Sequence, residues 1–276
     1  MTKTWFLTGT STGFGRELTE QLLARGDRVV ATLRDPERLD ALRSAHGDRL
    51  RVARLDVTRP ADVRRVVDES FAALGRIDVI VSNAGHGLFG PAEELTDDDI
   101  ERQVATNLLG SMHVIRAALP HLRAQRGGRI VQVSSAGGQT TYPGFSAYHA
   151  TKWGIEGFCE TVAQEVAPFG IELTIVEPGA SRTSFGASLA GPPPSAAYDP
   201  TPVGDVRRAI ASGAFAIDGD PVKMVRAILD SAEQSPAPRR LALGRDTYRD
   251  VRASLTARLA EVESQRDLAE SMGVEP

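Results

Sequence analysis

Tyr148 and Lys152 stand four residues apart in the stretch Ser146-Ala147-Tyr148-His149-Ala150-Thr151-Lys152. On a helix, residues at i and i+4 share a face, so this spacing predicts a phenol beside an ammonium. A free tyrosine, with a pKa near about 10, is a poor acid–base catalyst at neutral pH. A neighbouring ammonium favours the phenolate and brings the group toward the working range. The lysine is informative because the 32 basic residues include only three lysines: Lys3, Lys152 and Lys223. Thirteen residues before the tyrosine, Ser134-Ser135 closes an apolar run. A hydroxyl at such a strand end can donate to a substrate oxygen as charge develops on it. Serines also end strands for turn reasons alone, so Ser135 gains force from its company.

A second cluster opens the chain. Thr8-Gly9-Thr10-Ser11-Thr12-Gly13-Phe14-Gly15 lies where a first strand turns into a first helix. Glycines there permit a tight turn and the close approach of a pyrophosphate, whose charge faces the helix N-terminus. The spacing is G-x-x-x-G-x-G, and a glycine cluster alone is a weak signal; its place between strand and helix strengthens it. The second strand ends Val29-Val30-Ala31-Thr32-Leu33-Arg34. Enzymes preferring NAD usually carry an acidic residue at this strand end, on the ribose hydroxyls. Arg34 stands there instead, suited to a charge-assisted contact with a 2′-phosphate, with Asp35 next to it. This favours NADP(H) and leaves NAD(H) open.

The elements that must position these residues follow from periodicity. Short, nearly continuous apolar runs predict strands over residues 4–8, 28–33, 50–55, 79–82, 129–134 and 172–176, as in parallel strands covered on both faces. Between them lie helical patterns. Val63, Val66, Val67, Phe71 and Leu74 line one face of a helix opened by Pro60. Thr96 and Asp99 form a capping-box pattern starting a helix that runs from about residue 97 toward 123. This alternation predicts an α/β, doubly wound parallel sheet with ligands at the strand C-termini. After Pro178-Gly179 the pattern weakens. Residues 186–205 are proline-rich and read as an irregular loop. A helix over 221–231, a short strand at 240–243 and a polar helix from about 246 complete the chain. No linker or repeat divides it, so one domain over 1–276 is expected, with a cofactor and catalytic core at 1–183 and an elaborated substrate region at 184–276.

Composition excludes other classes. With 41% hydrophobic and 25% charged residues, the chain has an ordinary soluble profile. Its single cysteine, Cys159, excludes an intrachain disulfide and Cys/His metal clusters, so no metal is expected. A net charge of −4 argues against a nucleic-acid partner. No apolar run is long enough for a membrane span, and MTKTWFLTGT lacks the features of a secretory signal. A cytoplasmic protein is the expectation.

Taken in order, these motifs resemble the short-chain dehydrogenase/reductase family over residues 4–183. The resemblance rests on the Thr8–Gly15 turn, Asp56-Val57, Asn83-Ala84-Gly85, Asn107, Ser135, Tyr148-x-x-x-Lys152, Pro178-Gly179 and Thr183. It implies a single-domain Rossmann fold and hydride transfer between a nicotinamide and an alcohol or carbonyl. It further implies that Tyr148 exchanges the proton and Ser135 binds the same oxygen. Lys152 would lower the tyrosine pKa and bind the nicotinamide ribose, while Asn107 would hold a water in a proton relay. Asp56 and Val57 would meet the adenine. Asn83, Ala84 and Gly85 would line the cofactor, and Pro178, Gly179 and Thr183 would sit against its nicotinamide amide and phosphates. Two stretches, Ala31–Asp35 and Asn83–Pro91, resemble the 17β-hydroxysteroid and retinol dehydrogenase branch; that likeness supports Arg34 as an NADP(H) reader and leaves the substrate undefined. A homodimer or homotetramer through the helices carrying Asn107 and Tyr148 is implied.

Pocket candidates are His86, Gln139, Tyr142, Phe145, Phe185 and Phe215, each with an equally good packing role. His149 faces away from Tyr148 and Lys152 by helical spacing and reads as structural. Residues 186–220 read as a lid. The competing function classes are a non-catalytic dinucleotide-binding redox sensor, an NAD-dependent alcohol dehydrogenase working oxidatively, and a nucleotide-sugar epimerase or dehydratase. A sensor has no use for the full Asn–Ser–Tyr–Lys set.

Overall fold

The computed structural model describes residues 2–186 and 189–274 of the 276-residue chain. Strand β1 (Thr4–Thr8) feeds helix α1 (Gly13–Arg25), then β2 (Arg28–Leu33), α2 (Asp40–His46), β3 (Leu50–Arg54) and α3 (Pro60–Leu74). The chain then crosses to β4 (Val79–Ser82), α4 (Asp97–Val104), α5 (Ser111–Ala124), β5 (Gly128–Val133), α6 (Ser146–Val166) and β6 (Ile171–Pro178). It closes with α7 (Pro202–Ala211), α8 (Pro221–Ser231), β7 (Arg240–Leu243), α9 (Arg245–Glu263) and α10 (Arg266–Glu270).

The strands form one seven-stranded sheet in the order β3-β2-β1-β4-β5-β6-β7, parallel throughout. The chain builds outward from β1 through β2 and β3, then returns to the other side of β1 with β4. Between the C-terminal ends of β1 and β4 the order reverses, and a crevice opens there in such sheets. Both faces are covered. Alternation along β1 sends Phe6 into a core with Val63, Val67, Ile115 and Ile155. It sends Trp5 and Leu7 into the opposite core with Leu18, Leu22, Val225 and Ile228. This two-sided burial explains the unbroken apolarity of the strand sequences.

Helix ends follow local chemistry. α1 stops at Gly26, whose φ of 91° is left-handed and whose N–H bonds back to the last turn. Pro60 opens α3, and Thr96 and Asp99 make both bonds of a capping box before α4.

Three expectations are corrected. The helix expected from 97 toward 123 is not one uniform helix: a π-helical segment, Ala105–Gly110, separates α4 from α5. A π turn requires no residue type of its own, so periodicity does not reveal it; such turns are frequent at functional sites. Residues 186–205 are not wholly irregular. A short 3-10 turn at Ala196–Tyr198 and the start of α7 lie within them, because Pro202, taken as a loop marker, sits in the first turn, where its missing N–H costs nothing. The lid expectation also spans Ala187 and Ser188, which lie outside the described residues. Strand ends shift by one or two residues, with β5 and β6 each beginning a residue early and β6 reaching Pro178.

Candidate active site

Tyr148 and Lys152 lie on the first turns of α6 and are both buried. Helical spacing stacks them as the sequence requires. The Lys152 Nζ lies 5.6 Å from the centroid of the Tyr148 ring and donates to the Val133 carbonyl at 3.1 Å. Burial pushes the phenol up to about 12; a hydrogen bond with Ser135 opposes this, and the negative charge of Glu156 adds to it. Burial pushes Lys152 down to about 8, while Glu156 acts to raise it. The expectation that the lysine lowers the tyrosine pKa is thus not met in the chain alone. Desolvation by burial is the largest cause for each group, disfavouring the charged form of both.

Ser134 and Ser135 leave β5 side by side and then diverge. Ser134 is buried and its Oγ donates to Glu156 Oε1 at 2.5 Å. Ser135 Oγ accepts the Gly137 N–H at 3.1 Å and hydrogen-bonds with Tyr148. A hydroxyl has one proton to give and two lone pairs. With one lone pair committed to Gly137, the remaining capacity of Ser135 faces the phenol.

Asn107 is buried in the π segment. Its Oδ1 accepts the His86 N–H at 3.0 Å, and its Nδ2 donates to the His86 carbonyl at 2.8 Å. The Asn107 carbonyl accepts from Ser111 Oγ at 3.0 Å. The side chain of Asn107 therefore fastens the π segment to the strand-end segment Asn83-Ala84-Gly85-His86.

That segment is in turn tied to the glycine turn. Thr8 Oγ1 accepts the N–H groups of Asn83 and Ala84 at 3.0 and 3.1 Å. Asn83 Nδ2 donates to the carbonyls of Thr8 and Gly9 at 2.9 and 3.1 Å. Gly9 has φ 70°, and a side chain there would meet Ala84 Cα at 2.8 Å; a Cβ on Gly15 would strike the Gly9 carbonyl. Thr12, at the N-cap of α1, makes no side-chain cap, and no acidic residue lies in the first turn. The positive end of α1 thus faces the crevice through Thr10, Ser11, Thr12, Gly13 and Phe14 with its first N–H groups open.

Arg34 is exposed at the end of β2 and has no hydrogen-bond or ion-pair partner among the described residues. Burial acts to raise Asp56, but hydrogen bonds from Thr58 and the charges of Arg34 and Arg59 hold its carboxyl below the ordinary range. Val57 is buried, and a Cβ on Gly110 would meet it at 2.7 Å, so it packs against the π segment. At the opposite rim, Gly179 N–H donates to the Leu243 carbonyl at 2.8 Å, following Pro178 at the end of β6. Thr183 comes over the turn, its Cβ 3.7 Å from the place a Gly13 side chain would occupy. The glycine turn and the buried Tyr148–Lys152 pair are therefore brought to one sheet edge.

The description short chain dehydrogenase matches residues 3–191 of this chain. Oxidoreductase BOA17 of Botryotinia fuckeliana (strain B05.10) is 38% identical over 271 residues, 98% of each chain. The chain belongs to the short-chain dehydrogenase family. It is an NAD(P)-dependent oxidoreductase. Among solved structures, a short-chain dehydrogenase from Streptomyces avermitilis is 38% identical to it with a TM-score of 0.91, covering 99% of this chain and 98% of that one. A serine dehydrogenase in its closed form, complexed with NADP+, is 27% identical with a TM-score of 0.73, covering 86% and 93%.

The pocket candidates of this dehydrogenase separate into two groups. Phe145 and Phe185 stand around Tyr148, with ring centroids 6.2 and 5.8 Å from that of its phenol. Half-buried His86 lies near Lys152, Arg34 and Arg102, and burial together with these charges keeps its pKa below the usual value. Gln139 and Tyr142 are committed elsewhere: Gln139 Nε2 donates to Glu156 Oε2, and the Tyr142 hydroxyl donates to Asp250 at 3.0 Å. Phe215 is exposed beyond α7. His149 accepts the Tyr142 N–H at 3.0 Å through Nε2 and pairs with the Gly137 carbonyl at 2.7 Å through Nδ1. It braces the β5–α6 connection, in keeping with its structural reading.

Sequence reasoning missed three residues of this dehydrogenase. Phe89 packs edge-on against Phe145 at 5.1 Å. Asp246 holds the segment after Pro178. Glu156 lies one turn beyond Lys152 on α6. The i+4 step from Tyr148 to Lys152, extended once more, points to Glu156; nothing local marks the other two.

Proposed function

We propose that this dehydrogenase interconverts a ketone or aldehyde and an alcohol, with NADP(H) as the preferred cofactor and Tyr148 as general acid/base. The observation that carries the reading is the hydrogen-bonded Ser135–Tyr148 pair with Lys152 against the phenol ring. The cradle fits a dinucleotide: Gly9 and Gly15 leave room only for backbone, Gly13 takes a left-handed φ of 57°, and the uncapped α1 terminus offers N–H donors to a pyrophosphate. A nicotinamide held there supplies or accepts the hydride. Tyr148 gives its proton to the carbonyl oxygen, and Ser135 donates a hydrogen bond to the same oxygen. Lys152 supplies positive charge next to the phenol and a donor for the ribose. Asn107 keeps the β4-end segment of Asn83, Ala84 and Gly85 in register with the site. Asp56 and Val57 would meet the adenine of the dinucleotide, and Pro178, Gly179 and Thr183 would sit against its nicotinamide amide and phosphates.

Arg34, exposed and with no hydrogen-bond or ion-pair partner among the described residues, supports a 2′-phosphate contact, and the NADP+ complex of the serine dehydrogenase is consistent with it. Exposed Asp35, adjacent, favours the second reading, NAD(H) with an oxidative role. Titration of the purified protein with NADPH and NADH, wild type against Arg34→Glu, decides between them. NADPH preference that collapses in the variant is expected; equal or tighter NADH binding by wild type assigns the ribose to Asp35. Leu109 and Trp153, 43% and 38% exposed near Asn107 and on α6, support assembly into a homodimer or homotetramer, measurable by light scattering.

A further inference from the structure

The stripe Tyr148, Lys152, Glu156 continues the i+4 series of α6 inward, and Glu156 is only 2% exposed. A buried carboxylate persists only when paired and hydrogen-bonded. Glu156 Oε1 accepts from Ser134 Oγ at 2.5 Å, and Oε2 accepts from Gln139 Nε2 and from Arg240 at 2.6 Å. Ser134 and Gln139 flank Ser135 in the chain, so one carboxylate grips the β5–α6 connection on both sides of that hydroxyl. Gly138, between them, has no space for a side chain, because a Cβ would strike Glu156 Oε1.

The other charges around Glu156 come from every element packed on it. Arg240, on β7, also binds Glu177 of β6 and, at 2.6 Å, Glu160 of α6. Glu177 is pushed up to about 6 by burial and by Glu156, with Arg240 opposing. Lys152 lies on the active-site side, together with the Tyr148 phenol, and Cys159 is buried on the same helix. Arg240 thus stabilises the carboxylate from behind, while Glu156 presents its charge to Lys152 and Tyr148 in front.

We propose that Glu156 is a positioning residue of this active site, holding the segment that presents Ser135 against the helix that presents Tyr148 and Lys152 and fixing the negative charge behind them. This rests on Tyr148 being the proton donor. Removing the charge while keeping the shape, as in Glu156→Gln, lowers the pKa of both Tyr148 and Lys152, since the carboxylate acts to raise each.

The test compares wild type, Glu156→Gln, Ser134→Ala and Tyr148→Phe. Ultraviolet difference absorbance follows phenol ionisation, and the component lost in Tyr148→Phe belongs to Tyr148. In Glu156→Gln that component moves to lower pH, as does the high-pH fall of kcat for ketone reduction, and kcat drops about tenfold or more, as small misplacements of reacting groups produce. Ser134→Ala lowers kcat but leaves the pH limb in place. Coincident Tyr148 titrations in wild type and Glu156→Gln, or an unchanged kcat, overturn the proposal. If Glu156→Gln fails to fold, Ser134→Ala combined with Gln139→Ala decides, and full kcat in that double variant overturns it. A wild type that reduces no ketone defeats the functional reading instead, while the phenol titration still reports on Glu156.

Discussion

Asp246, in the first turn of α9, accepts the backbone N–H of Ala180 at 2.7 Å, across 66 residues of chain. A side chain on Gly179 would collide with the same carboxylate. The strand-end segment that follows Pro178 is therefore held from the C-terminal region. Asp246→Ala is expected to raise the Kd for NADPH several-fold with a smaller change in kcat, because it frees a binding wall and leaves Tyr148 untouched. Calorimetry with steady-state kinetics checks this; a kcat loss at constant Kd contradicts it.

Tyr148→Phe removes one hydroxyl from a buried ring. The loss of a positioned acid–base group costs roughly 10²–10⁴-fold in turnover, so kcat for ketone reduction should fall by that order. NADPH binding should stay near wild type, because the ring still packs on Phe145 and Phe185. A variant indistinguishable from wild type in every reduction assay refutes an enzymatic role for the phenol.

The pH dependence follows from Lys152 rather than Tyr148. The lysine is charged below about 8 and neutral above it, whereas the phenol keeps its proton up to about 12. Reduction and NADPH affinity should accordingly hold steady below about 8 and decline as pH rises through it. Lys152→Met should bind NADPH weakly with no such decline. A wild-type Kd flat across this range removes Lys152 from the cofactor site.

Thr96 and Asp99 satisfy each other's backbone N–H groups at the start of α4. Thr96→Ala deletes a capping hydroxyl, a change that costs about 1 kcal/mol. For a chain of this size, thermal denaturation should show a midpoint lower by about 2–4 °C, with kcat unchanged, since the cap lies well before Asn107.

The placement of the chemistry was legible in sequence because it is local. Tyr148 and Lys152 meet through one helical turn, and the glycine turn sits between β1 and α1 by chain order. Unbroken apolar strands announce a doubly wound parallel sheet buried on both faces with ligands at the strand C-termini; the strand order, and with it the crevice between β1 and β4, is seen only in the assembled sheet. The Thr96 cap likewise needs only its neighbours. Contacts between residues distant in sequence were decided by packing alone. The grip of Asn107 on His86 depends on a π turn that no residue type marks. Tyr142 is paired with Asp250 and Gln139 with Glu156, and neither pairing has a periodicity to betray it. The phenol pKa is the clearest case: spacing predicted a lowered value, but desolvation depends on how completely the fold excludes water around α6, and that is a property of the assembled chain.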